Sequence, residues 1–150
     1  MAASATALSY RRAAVQEASP AGLVVILYDL LIEDLQRASQ AMRRAAIEER
    51  SNHLKHGLLV LQILEGTLDA ERGGDAARSL AAFYAHIRSQ LLEAQFRCDT
   101  NVLERQIVLL LEVREAWCSA ESGWSDGHQN AADLPNFEAC DLPEQMRWSA

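Results

Sequence analysis

The chain of 150 residues predicts an all-α fold: an antiparallel four-helix bundle with a short N-terminal helical segment and a disordered C-terminal tail. Only 7 glycines and 3 prolines punctuate a sequence rich in Ala, Leu, Glu and Arg, a balance that favours helix over strand. Four long stretches repeat apolar residues at spacings of three and four, the period of one buried helix face. After Ser119 that period stops. Hydrophobic residues at 49% and charged residues at 23% supply one packed core and exclude disorder along the whole chain. The divisions expected are 1–18 for the N-terminal segment, 19–119 for the bundle and 120–150 for the tail.

Thr6 to Glu17 reads as a short helix of marginal stability on its own. The first bundle helix opens at Ser19-Pro20, since Ser caps well and Pro loses nothing in the first helical position. Its stripe is Leu23, Leu27, Leu31, Leu35, Ala38, Met42 and Ala45. The second spans about Glu48 to Glu71 with Leu54, Leu58, Leu61, Leu64 and Leu68 aligned. It is expected to stop at Gly73-Gly74, where glycine tolerates the left-handed backbone that closes a helix. Asp75 then caps the third helix, and so short a connection makes neighbours antiparallel. Leu80, Phe83, Ile87, Leu91 and Ala94 face inward on that helix, which ends near Phe96. Cys98-Asp99-Thr100-Asn101 breaks the pattern, and Asn101 with Glu104 resembles a capping box. The fourth helix runs to about Trp117 with Leu103, Ile107, Leu110, Val113 and Trp117 inward. Beyond it, Gly123, Gly127, Pro135 and Pro143 punctuate a polar stretch without period.

Formal net charge is −7, of which residues 121–150 carry −5 through Glu121, Asp126, Asp133, Glu138, Asp141 and Glu144 against Arg147. The near-neutral body and acidic tail disfavour a general grip on nucleic acid or anionic lipid. The three cysteines, Cys98, Cys118 and Cys140, are odd in number and widely spaced, which fits a reducing compartment rather than a disulfide framework. No apolar run reaches signal-peptide or membrane-spanning length, so a soluble cytoplasmic protein is expected.

Enzyme signatures are absent: no dinucleotide or P-loop glycine pattern, no nucleophile elbow and no zinc-protease motif occurs. His53 and His56 sit three apart on one helix, with Cys98 or Cys118 as conceivable partners, yet no set of three or four converging ligands stands out. No Glu-x-x-His element of a bundle-core metal centre occurs. Cys98 and Cys118 read as small, buried or half-buried packers, and the histidines as surface residues. The expectation is a non-enzyme without metal or cofactor.

What stands out is apolar excess. A bundle helix needs one stripe, whereas Ile107-Val108-Leu109-Leu110-Leu111 and Leu58-Leu59-Val60-Leu61 are apolar nearly all round. Leu59, Val60, Ile63, Val108 and Leu111 fall off the main stripes and are the candidate partner contacts. Either such helices bury two faces, or they offer a groove to a partner's amphipathic helix.

Ala18-Ser19-Pro20, Leu23-Val24 and Leu27-Tyr28-Asp29 resemble the opening of the flagellar secretion chaperone family FliS. Leu68-Asp69, Glu71, Gly73-Gly74, Ala77, Leu80, Phe83-Tyr84 and Ile87 are similar to its middle. Val102-Leu103 through Leu110 to Val113-Arg114-Glu115-Ala116-Trp117 is similar to its closing helix, and Tyr10 matches an N-terminal tyrosine of the family. The resemblance covers about residues 8–118; Leu30, Ser79 and Arg105 depart from it. It implies a four-helix bundle that acts as a cytoplasmic export chaperone. Such a chaperone holds the disordered C-terminal segment of flagellin, prevents premature polymerisation and helps deliver it to the flagellar export gate. An ordering cost of roughly 2–5 kcal/mol keeps such binding reversible.

The resemblance also adds Leu8 and Tyr10 to the partner-binding residues. Their segment either covers an apolar groove in the free protein and moves when flagellin binds, or is a fixed packing element. The alternative to a chaperone is a helical adaptor or dimerisation module without a flagellin client, and monomer and homodimer both stay open. Trp124, Phe137 and Trp148 leave two readings of the tail: a solubilising extension, or one in which Leu134-Pro135-Asn136-Phe137 docks on the groove or on another export component.

Overall fold

A computed structural model describes residues 2–17 and 19–126, which form five helices and, among those residues, no strand. These are α1 (Ala2–Glu17), α2 (Pro20–Arg43), α3 (Ile47–Gly66), α4 (Ala70–Arg97) and α5 (Thr100–Asp126). Helix α2 starts where the sequence places it: Pro20 takes the first position and Ser19 Oγ accepts a hydrogen bond from Gly22 N at 3.0 Å. Cys98, in the left-handed conformation, closes α4 by donating its N–H to Ala94.

Helices α2 to α5 form the antiparallel four-helix bundle, with connections of two or three residues. Ion pairs fix the register. Asp29 meets Arg114 and Arg43 meets Glu104 between α2 and α5, Arg44 meets Glu49 between α2 and α3, and Glu65 meets Arg88 between α3 and α4. With Asp34 to His56 and Arg50 to Cys98 as the second contacts of the α2/α3 and α3/α4 sets, the residue numbers on one side rise as those on the other fall. α2 packs closely on both α3 and α5, whereas α4 approaches those two less closely. α1 makes only a slight contact with α2.

The core consists of Tyr28, Leu31 and Leu35 from α2, Leu54, Leu61 and Leu64 from α3, Ile87 and Leu91 from α4, and Leu103 and Leu110 from α5, all fully enclosed. Within it Tyr28 Oη donates to Tyr84 Oη at 2.9 Å, joining α2 to α4 across the bundle. Two buried hydroxyls that satisfy each other avoid the cost of stranded polar groups. The inward stripe expected on the third helix is present, as is that on the fourth save for Ile107, which is half-buried.

Three details differ from the sequence reading. The α2 stripe is turned toward Val24, Val25, Tyr28 and Ile32, leaving Leu23 exposed and Leu27 and Met42 half-buried, because α2 must face three other bundle helices at once. α3 stops at Gly66, before the glycine pair. The Asp69 carboxylate then accepts from the N–H groups of Glu71 (3.0 Å) and Arg72 (3.2 Å), so Asp69 rather than Asp75 opens α4. Gly74 does take a positive φ of 52°, but as a kink within α4, and a Cβ on Gly73 would lie 2.6 Å from that of Ala77. Likewise Asp99, whose side chain accepts from Asn101 N at 2.9 Å, replaces the expected Asn101–Glu104 capping box, and Glu104 turns to Arg43.

α5 continues to Asp126, past the boundary expected at Ser119. The remainder of the tail, residues 127–150, lies outside the described residues, as do Cys140 and His128.

Candidate partner-binding surface

The outward faces of the bundle carry more large apolar side chains than a solvated surface needs. On α3, Leu59 and Ile63 stand one turn apart and are 59% and 54% exposed. On α5, Val108 and Leu111 also face out. Leu8 and Tyr10 on α1 are exposed, as is every described side chain from Thr6 to Ala13. In this structure α1 therefore covers no groove with Leu8 or Tyr10; it is tied to α2 by Arg11 to Glu33 at 2.8 Å, a pair that Arg37 shares at 2.5 Å. Six of the seven candidate contacts are thus open to solvent.

Val60 is the exception. It is 3% exposed and belongs to the core, because it sits one turn from Leu64 and three residues from Gly57 on the side of α3 that faces α2. In this structure Val60 is a packing residue, enclosed rather than offered to a partner as the sequence reading expects.

Two exposed residues escape the sequence reading: Leu92 and Phe96 on α4, the latter 91% exposed. The signal was present, since Leu92 falls beside the inward Leu91 and Phe96 follows one turn later. Exposed Ile47 begins α3.

The polar groups on the bundle brace it. Arg114 donates to both carboxylate oxygens of Asp29, at 2.5 and 3.2 Å, and that bond holds its guanidinium more firmly charged. Burial pushes Tyr84 up to about 12 and raises Tyr28 well above the ordinary tyrosine range, so both stay neutral. The sequence motifs around Tyr28-Asp29, Phe83-Tyr84 and Arg114 through Trp117 thus converge on one end of the bundle as structural ties.

Asp34, buried at the α2/α3 contact, takes Nδ1 of His56 at 2.5 Å and Nδ1 of His53 at 3.5 Å. The two histidines so serve a carboxylate and do not meet a cysteine. No group of three His, Cys, Asp or Glu among the described residues is placed to hold a metal ion. Cys98 is exposed rather than buried, with its Sγ 2.6 Å from Arg50 Nη1, while Cys118 is half-buried. Burial lowers the pKa of His86. Among the described residues no helix is long and apolar enough to cross a membrane.

The family described as "Flagellar protein FliS" matches residues 1–123. The flagellar secretion chaperone FliSB of Pseudomonas aeruginosa is 34% identical over 105 residues, covering 70% of this chain and 83% of the relative. The flagellar secretion chaperone FliS of Salmonella typhimurium is 30% identical over 105 residues, covering 69% and 78%. That of Bacillus subtilis is 26% identical over 121 residues, covering 80% and 90%.

Proposed function

The chain belongs to the FliS family of flagellar secretion chaperones, and from that premise we propose that it holds the C-terminal segment of flagellin in the bacterial cytosol, keeps it from polymerising and assists its delivery to the flagellar export gate. The observation that supports this reading is the outward placement of Leu59 and Ile63 on α3 and of Val108 and Leu111 on α5. An assembly segment is apolar and helix-prone, and outward residues one turn apart match the spacing such a segment presents. α3 and α5 each pack on α2 and on α4 at opposite sides of the bundle, so one client that meets both patches wraps around it. The chemistry required is burial of apolar surface, with no bond made or broken. Catalysis, cofactor, nucleic acid and membrane insertion have no part in it.

The test is a gel-filtration titration of the full chain with a flagellin C-terminal peptide. Co-elution that saturates at one peptide per chain, and that Ile63→Asp weakens, supports the reading. Self-association that rises with protein concentration, with no peptide uptake, favours the adaptor or dimerisation alternative.

A further inference from the structure

The α3/α4 face carries the most prominent exposed apolar pair outside the surface assigned to the client. Two ties set the register there: Glu65 to Arg88, and Arg50 to Cys98. Between them Leu59 lies level with Leu92, and Lys55 level with Gln95 and Phe96. Arg88, one turn before Leu92, reaches α3, so Leu92 lies toward the α3 side of α4 and Phe96 one turn further along it. Lys55 stands one turn before Leu59, and among the described residues no acid pairs with it. The face therefore combines exposed Leu59, Leu92 and Phe96 with one unspent positive charge.

The chain itself supplies a complement. Asp133-Leu134-Pro135 recurs as Asp141-Leu142-Pro143, and large apolar residues follow each copy: Phe137 after the first, Met146 and Trp148 after the second. Residues 127–150 hold Asp133, Glu138, Asp141 and Glu144 against Arg147, a net charge of −3. A purely solubilising extension has no use for five large apolar side chains. The geometry of attachment suits the α3/α4 face. Asp29–Arg114 and Arg43–Glu104 set Asp34 level with Leu110, and His53 and His56 bring Lys55 to the same level. The axial rise from there to Asp126 is about 24 Å. Residues 127–136, extended, span up to about 33–36 Å. The other outward patch is electrostatically mixed, with exposed Glu112 and Glu115 one turn after Val108 and Leu111 and exposed Arg105 one turn before Val108, so its net charge gives the acidic tail less to hold than Lys55 does.

We propose that the tail docks on the α3/α4 face of its own chain, with Leu134 and Phe137 against Leu59, Leu92 and Phe96 and a tail carboxylate on Lys55. Leu59 is common to this face and to the client surface, so the tail is a built-in competitor for part of it. The docking itself stands or falls without any client.

Lys55 is the only lysine in the sequence, which makes the test direct. A water-soluble carbodiimide condenses a lysine amine with a carboxylate it already touches. Treated full-length protein, mixed from labelled and unlabelled isotopic batches, is digested and sequenced by mass spectrometry. The expected product is an amide between Lys55 and one of Asp133, Glu138, Asp141 or Glu144, formed within single chains only. Phe96→Ser and Phe137→Ala, each checked for unchanged helix content, should cut its yield roughly tenfold, the share of one aromatic anchor. Absence of the amide overturns the proposal. Mixed-isotope products overturn it in favour of a second copy as the occupant, and an undiminished yield in both variants reduces it to a chance encounter of charges.

Discussion

Val60 and Ile63 lie three residues apart on α3, and an aspartate at each should fail in opposite ways. Val60 is 3% exposed. Its replacement forfeits about 1.5–3 kcal/mol of apolar burial and strands a carboxylate at a further cost of several kcal/mol. The total, about 5 kcal/mol or more, rivals the whole stability of a domain this size. Val60→Asp should therefore melt early or not fold. Ile63 is 54% exposed. Roughly half of its burial value, about 1 kcal/mol, is still to be gained against a client, and an aspartate there must also be desolvated. Ile63→Asp forfeits only the half already buried, about 1 kcal/mol of stability, and should weaken flagellin binding by about 1–3 kcal/mol, roughly 5- to 150-fold. Thermal melts by circular dichroism, beside titration of a flagellin C-terminal peptide, separate the two effects. Normal melting of Val60→Asp would refute the burial argument. Unchanged peptide affinity in both Ile63→Asp and the companion Val108→Asp would show that the client uses another face.

Tyr28→Phe or Tyr84→Phe alone leaves one buried hydroxyl without its partner and should cost about 1–3 kcal/mol, whereas the double variant should lose less than the sum of the two in urea titrations. The same pair makes the fold sensitive to alkali. An unfolded tyrosine ionises near pH 10 but Tyr84 in the fold near 12, so the stability it supports is intact below pH 10. Between those values it falls by about 1.4 kcal/mol per pH unit, which denaturation midpoints at pH 9 and 11 will show. Gly74→Ala should destabilise by about 1–2 kcal/mol, read as a lower melting temperature, because the kink demands a positive φ. Deleting residues 1–17 should leave melting and apolar-dye binding unchanged, since the described side chains from Thr6 to Ala13 are all exposed; a rise in dye binding would restore a covering role for Leu8 and Tyr10.

The bundle was legible in the sequence because apolar periodicity reports burial directly: Leu80, Phe83, Ile87, Leu91 and Ala94 face inward as their spacing demands. Breaks were harder to place. Gly73-Gly74 is the more conspicuous punctuation, yet a carboxylate at Asp69 that satisfies two free N–H groups decides where α4 begins. The candidate surface was legible only where apolar residues fell clearly outside a stripe, as Ile63 and Val108 do. Val60 lies at the margin of its stripe, and whether such a residue is enclosed depends on which neighbour flanks that side of the helix. Leu92 and Phe96 are hard to assign for the converse reason: their helix has a complete inward stripe without them, and one or two extra apolar residues beside a stripe do not by themselves mark a surface.

The unequal packing of the four helices has a consequence for how the bundle opens. α2 is clasped by α3 and α5, so exposing its amides to solvent means parting both contacts, and with them most of the core. α4 is held less closely, begins with a turn set apart by Gly74, and relies on Tyr84 for its reach across to α2. Amide hydrogen exchange should accordingly be graded, slowest along α2 at the rate of global unfolding and faster in the first turns of α4, which release by local opening. The bundle so keeps a rigid spine while the start of one wall yields without global unfolding.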